Sequence, residues 1–123
     1  MLLRSVPRLL LCLLVLVAGC SATGSGPGRS DGTATVGVAR LPAEARQTLA
    51  LIDRGGPFPY ARDGVVFGNF EGLLPRHERG YYHEYTVPTP GSRDRGARRL
   101  VTGRGGDIYY TDDHYKSFRA VRR

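Results

Sequence analysis

Tryptophan is absent from the 123 residues, methionine occurs once, and Lys116 is the sole lysine among 18 basic residues. Cysteine occurs twice, at Cys12 and Cys20, so everything after residue 20 has neither an intrachain disulfide nor a thiolate metal site. No GxGxxG or Walker loop is present, because the glycine pairs sit at turns without a strand-to-helix context, and the usual nucleotide-phosphate cradles are thereby excluded. No apolar run reaches the roughly 20 residues that a membrane-spanning helix needs. There is no internal repeat, and at roughly 100–200 residues per domain the length leaves room for one core.

What is present is arginine. Seventeen of them, against 11 acidic residues, set a net charge of +7, yet 41% hydrophobic and 24% charged residues is a globular balance rather than a disordered one. The planar guanidinium fork suits bidentate phosphate recognition, which makes polyanions the first partner class to test.

Residues 1–19 read as an export signal. Arg4 and Arg8 form a positive n-region, and Leu9 to Ala18 is an uncharged aliphatic run of ten residues. Val17-Ala18-Gly19-Cys20 resembles the lipobox of bacterial lipoproteins, in which the signal is cut before the cysteine and that cysteine is lipidated; ordinary cleavage at a nearby small residue is the alternative. Residues 20–40 read as a flexible tether, since 11 of the 20 residues from Ser21 to Arg40 are Gly, Ser or Thr. Its r.m.s. span of about 25 Å would hold a domain clear of a membrane surface. Loss of Arg4 and Arg8 lowers the basic count from 18 to 16 against 11 acidic residues, leaving +5.

Residues 41–123 are the folded part. Leu41-Pro42-Ala43-Glu44 looks like a helix entry, Leu41, Ala45, Leu49 and Ile52 fall on one face, and Gly55-Gly56-Pro57 ends the helix. Val65–Phe67, Tyr81–Val87, Arg98–Thr102, Ile108–Thr111 and Phe118–Val121 are β-branched or aromatic runs between Gly, Pro and Asp clusters. One helix followed by about five short strands predicts an α+β domain, the helix packed on a small antiparallel sheet because the connections are too short for helical crossovers.

Strand alternation in Tyr81–Val87 puts Tyr82, Glu84 and Thr86 on one face and Tyr81, His83, Tyr85 and Val87 on the other. A carboxylate in mid-strand between tyrosines is costly unless paired, and Arg95 and Arg99 are the best candidate partners. In an antiparallel pair Glu84 would share a face with Arg99, with Arg95 reaching over from the loop. Two readings of this cluster stay open: a structural ion-pair network, or an acid–base site in which His114 faces Glu84 as general acid. His83 is expected on the back of the sheet and His77 in a loop.

The blocks Gly56-Pro57-Phe58-Pro59-Tyr60, Asp63-Gly64-Val65-Val66-Phe67, Tyr81-Tyr82-His83-Glu84-Tyr85-Thr86-Val87, Arg98-Arg99, Thr102-Gly103 and Tyr109-Tyr110-Thr111 with His114-Tyr115 occur in this order. Together they closely resemble the guanyl-specific microbial ribonucleases of the Streptomyces type, relatives of barnase, over residues 39–123. The resemblance implies the microbial ribonuclease fold and cleavage of single-stranded RNA 3′ to guanosine by a monomer, with no metal and no cofactor. It makes Glu84 the general base for the 2′-hydroxyl and His114 the general acid for the leaving 5′-oxygen. Arg95 and Arg99 would stabilise phosphoryl charge, and Tyr115 would contact the phosphate. The chemistry needs the carboxylate ionised while the imidazole is protonated, which neighbouring arginines and acidic groups favour. Phe67-Gly68-Asn69-Phe70-Glu71 matches the base pocket: Glu71 accepts from guanine N1–H and the 2-amino group, backbone N–H groups of Gly68 to Phe70 bind O6, and Phe67 covers a ring face.

Three departures accompany the match. Gly68 replaces a usual glutamine, Phe70 a usual arginine that it can replace by stacking, and the usual disulfide between the chain ends, worth about 2–4 kcal/mol, is missing. The resemblance also brings a barstar-like inhibitor as a candidate partner. The contrasting function is a non-catalytic basic lipoprotein that binds RNA or another polyanion such as anionic lipid, for which the arginines alone would suffice.

Overall fold

The computed structural model describes residues 33–123. The export signal, Cys20 and the first part of the tether lie outside the described residues.

Six strands form one sheet, β1 (Ala34–Gly37), β2 (Val65–Val66), β3 (Tyr82–Thr86), β4 (Arg99–Gly103), β5 (Ile108–Thr111) and β6 (Arg119–Arg122), in the order β1-β6-β5-β4-β3-β2. Among the described residues a single α-helix, α1 (Ala43–Arg54), follows a short 3₁₀ turn at Val38–Arg40. The helix begins behind Pro42, carries Glu44 in its first turn and Arg54 in its last, and so complements its own dipole at both ends. Gly55 ends it at φ 83°, a left-handed conformation that a residue with a Cβ would resist, and Gly56 N–H closes the cap on Leu51 O at 2.9 Å.

The five expected strands appear within a residue or two of their expected bounds, but the expected antiparallel sheet is mixed. β2 to β6 run antiparallel to their neighbours, whereas β1 pairs with β6 in parallel, Ala34 opposite Arg119 and Gly37 opposite Arg122. The argument from short connections governs only consecutive strands, and β1 and β6 are the first and last. β1 also lies inside the 20–40 segment read as a tether. There the small-residue count hid the β-compatible run Thr33-Ala34-Thr35-Val36, whose backbone the edge of β6 takes up.

The sheet separates two environments. On the helix side Leu41, Ala45 and Leu49 pack against Val87, Leu100, Ile108 and Tyr110, with Val36, Ile52 and Val121 at the margin. His83 and Tyr85 alternate with the opposite-face residues of β3, and His77 sits in the preceding loop with its ring stacked on Tyr81 at 3.7 Å. On the far side Leu74, Tyr82, Val101 and Tyr109 form a second cluster flanked by Phe67 and Phe118. The rest of that face is polar and nevertheless buried: Glu84, Thr86, Arg99 and Thr111.

Candidate active site

The register explains how those polar groups meet. In the β3–β4 pair Glu84 stands opposite Val101 and Thr86 opposite Arg99, and in the β4–β5 pair Arg99 stands opposite Thr111, so the period of two places Glu84, Thr86, Arg99 and Thr111 on one surface. A cavity of about 600 Å³ opens over it, lined by Glu84, Arg95, His114 and Tyr115 at one part and by Phe67 through Glu71 at another. All the candidate residues except Arg99 thus reach a single cavity; Arg99 lies beneath it, 2% exposed.

The expected direct pairing of Glu84 with Arg99 is replaced by a bridge. The Tyr115 hydroxyl donates to Glu84 Oε1 and accepts from Arg99 Nε at 3.0 Å. Burial, and then the neighbouring Glu84, push the Tyr115 phenol above its ordinary range, so it remains a neutral donor. The Arg99 guanidinium also donates to Gly96 O and Arg98 O and lies over the Tyr115 ring. Among the described residues no carboxylate comes within ion-pair distance of it. A buried cation without a paired anion is unfavourable on its own and becomes favourable when an anionic ligand arrives. Arg95 reaches over the same edge and donates to Thr86 Oγ1 at 2.9 Å.

Arg62 was not singled out from the sequence. It stands 59% exposed in the turn before β2, lines the cavity, and places its guanidinium 4.0 Å from Glu84 Oε2. Asp63 fixes that turn by accepting from Tyr60 N–H and Thr86 N–H, and Gly64 N–H donates to Glu84 O at 2.8 Å. A charged residue three positions before a short strand carries no pattern that would have flagged it.

His114 and Tyr115 come from the β5–β6 connection, both in left-handed backbone conformations with φ 60° and 73°. Such conformations in non-glycine residues persist where surrounding contacts impose them. Here Asp113 accepts from the Thr111 hydroxyl, Lys116 N–H, Ser117 N–H and the Ser117 hydroxyl, Tyr115 N–H donates to Thr111 Oγ1, and His114 N–H donates to Ala97 O. Those hydrogen bonds, led by that from Ser117, hold the Asp113 carboxyl down at about 2. Its neighbour Asp112 is engaged by Arg119 at 3.4 Å.

The 67–71 loop is built around Asn69, which takes φ 53°. Its amide oxygen accepts from Leu74 N–H and its amide nitrogen donates to Leu74 O, so the side chain braces the loop. Among the described residues the N–H groups of Gly68, Asn69 and Phe70 have no intramolecular acceptor. Glu71 is exposed at the cavity with no ion-pair partner there. Phe67 stacks on Tyr115 at 5.4 Å and thereby joins this loop to the Glu84 region. No group of three His, Cys, Asp or Glu side chains that could hold a metal occurs among the described residues.

A helix on one face of this sheet and a polar cavity lined by Arg62 and Arg95 on the other define a small α+β domain with an anion-suited site. Residues 25–122 match the ribonuclease family model, and the chain belongs to that family. It is 58% identical over 92 residues to guanyl-specific ribonuclease St of Saccharopolyspora erythraea, covering 75% of this chain and 91% of that protein. It is 67% identical over 82 residues to guanyl-specific ribonuclease Sa3 of Kitasatospora aureofaciens, covering 66% of this chain but only 58% of the length of that relative. A solved structure of ribonuclease Sa2, from a study of its complexes with mononucleotides, superposes with a TM-score of 0.73 at 54% identity over 74% of this chain and 95% of that one.

Proposed function

We propose that this chain is an exported guanyl-specific endoribonuclease that cleaves single-stranded RNA 3′ to guanosine. The observation that carries the reading is the convergence of Glu84, Arg95, His114 and Tyr115 with the 67–71 loop on one cavity over a buried, anion-free Arg99. Simple polyanion binding calls for none of this: surface arginines suffice, whereas a buried carboxylate beside a bound phosphate would oppose it.

In the proposed reaction Glu84 accepts the proton of the ribose 2′-hydroxyl, in the position where the Tyr115 hydroxyl donates in the free chain. The 2′-oxygen forms a bond to phosphorus as the bond to the 5′-oxygen breaks, and His114 protonates that leaving oxygen, giving a 2′,3′-cyclic phosphate. Water then opens the ring to a 3′-phosphate with the proton roles reversed. Arg95 and Arg99 carry the charge that develops on the non-bridging oxygens, and Tyr115 donates there once displaced from Glu84. Guanine is selected by Glu71, which accepts two donors that no other base presents together, and by the unengaged N–H groups of Gly68 to Phe70. Export and lipidation at Cys20 are supported by the n-region, the ten-residue apolar run and the small residues before the cysteine.

Turnover of a GpN dinucleotide in the presence of EDTA tests the reading. We expect cleavage through a cyclic phosphate at an unchanged rate and slower cleavage of ApN. Binding without turnover would leave only the polyanion-binding function, and loss of activity in EDTA would place a metal in the reaction.

A further inference from the structure

The main cavity does not end at the 67–71 loop. Asn69, Phe70, Glu71 and Leu73 also line a second cavity of about 570 Å³, which continues past them to Pro75 and Arg76 and which none of Glu84, Arg95, His114 or Tyr115 lines. Hydrogen bonds brace its wall: Asn69 exchanges two with Leu74, and the Tyr82 hydroxyl donates to Pro75 O at 2.6 Å. Two exposed arginines stand here. Arg76 closes the far end of the cavity, and the Arg79 guanidinium lies 5.7 Å from the centroid of the Phe70 ring that both cavities share. Among the described residues neither arginine has a carboxylate within ion-pair distance. Glu78, the acidic residue between them, is engaged by Arg104 at 2.9 Å. Two unpaired cations on a braced segment add little to the fold and are available to an external anion.

We propose that this second cavity is a subsite for the nucleotide on the 5′ side of the guanosine, with Arg76 and Arg79 receiving the phosphate that joins the two. The inference rests on the guanine reading of the 67–71 loop and adds a place for the next unit of the strand. A guanosine within RNA carries a phosphodiester on each side of its ribose. The one on the 3′ side is assigned to Glu84, Arg95 and His114, so the strand beyond the cleaved bond departs from that end of the main cavity. The strand on the 5′ side leaves by the other route, and the cavity that continues from the guanine loop away from Glu84 ends on an arginine. Leu73, 45% exposed, offers apolar contact to a sugar or base lying between the two. Glu71 lines both cavities and would repel a phosphate in the free chain, whereas a bound guanine engages it. The subsite therefore works for a phosphate attached to guanosine and only weakly for phosphate alone.

The test compares, on the full chain, Kd for guanosine 3′,5′-bisphosphate with Kd for guanosine 3′-monophosphate. The native chain should bind the bisphosphate about 3–10-fold more tightly at low salt, as two exposed cations on one phosphate would give, and the preference should fade by about 0.5 M salt. The double variant Arg76→Gln, Arg79→Gln should bind the two nucleotides within about 1.5-fold of each other, the residue of two weak contacts removed. Its Kd for the monophosphate and its turnover of GpN should stay at native values. Arg40→Gln with Arg54→Gln removes the same charge from α1 and the turn before it, and should keep the preference. Equal affinities in the native chain, or a preference that survives loss of Arg76 and Arg79, would overturn the subsite. So would a preference lost equally in the Arg40 and Arg54 variant, which would reduce the effect to net charge. Equal binding of guanosine and adenosine 3′-monophosphates would overturn the guanine reading and the subsite with it. If the native chain prefers the bisphosphate and yet fails to cleave GpN, the catalytic reading falls and the subsite stands.

Discussion

The two faces of the sheet are built from the same strands, residue by alternate residue, to opposite rules. Toward α1, Val87, Leu100, Ile108 and Tyr110 are buried in an apolar cluster where each aliphatic side chain contributes about 1.5–3 kcal/mol by leaving water. Away from α1, Glu84, Thr86, Arg99 and Thr111 are buried just as deeply, and two of them carry charge. Burial stabilises on the first face and is unfavourable on the second, where the hydrogen bonds of Tyr115 and of backbone carbonyls offset it only in part. One face thus holds the fold in place so that the other can keep an unfavourable arrangement ready for a ligand.

The sharpest way to break this division is to change one face and read both properties. Glu84→Gln and His114→Gln should each lower turnover of GpN about 10²–10⁴-fold, the usual contribution of a positioned base or acid, while circular dichroism shows an intact fold. Near-normal turnover by either folded variant would remove it from the mechanism. Leu100→Ala, on the opposite side of β4 from Arg99, should cost about 2–5 kcal/mol in chemical denaturation and leave kcat unchanged below the new midpoint. A loss of kcat in a fully folded Leu100→Ala sample would show the faces to be coupled.

Two smaller effects sharpen the comparison within the polar face. Glu71→Gln keeps the shape but exchanges an acceptor for an amide, so the preference for GpN over ApN should fall by about 1–3 kcal/mol; an unchanged ratio would exclude Glu71 from base recognition. Asp113 titrates at about 2 in the folded chain against 3.8 unperturbed, so its contribution is complete above pH 4 and lost as pH falls from there toward 2. Because the loop is partly exposed, the contribution should be about 1 kcal/mol rather than the full value of the shift. Denaturation of Asp113→Asn should show the deficit at pH 7 and none at pH 2; equal stability of the two proteins at pH 7 would mean that the loop does not depend on this carboxylate.

The helix and five strands were legible because their signals are local: a four-residue apolar spacing, a glycine stop, and β-branched or aromatic runs between turns. Strand β1 was not, since its four residues add little of their own and its pairing is decided by β6, more than eighty residues away. The same boundary divides the site. That Glu84 shares a face with Arg99 follows from the period of the strand once the pairing is assumed. That a tyrosine hydroxyl stands between them, or that Arg62 leans toward the carboxylate, depends on loop conformations set by Asp63 and Asp113, for which alternation provides no rule.

The parallel pairing of β1 with β6 has a bearing on the order in which the molecule can be completed. A ribosome delivers β1 long before β6, so this edge of the sheet stays open until β6 emerges, and the ion pair of Arg123 with Asp53 at the end of α1 closes only after that. Joining segments so distant in the chain is also the slowest kind of contact to make, because a long loop must be closed before any bond repays it. His114 and Tyr115 lie on the connection that leads into β6. A growing chain therefore carries Glu84, Arg95 and Arg99 before it carries His114, Tyr115 and the strand that anchors their loop.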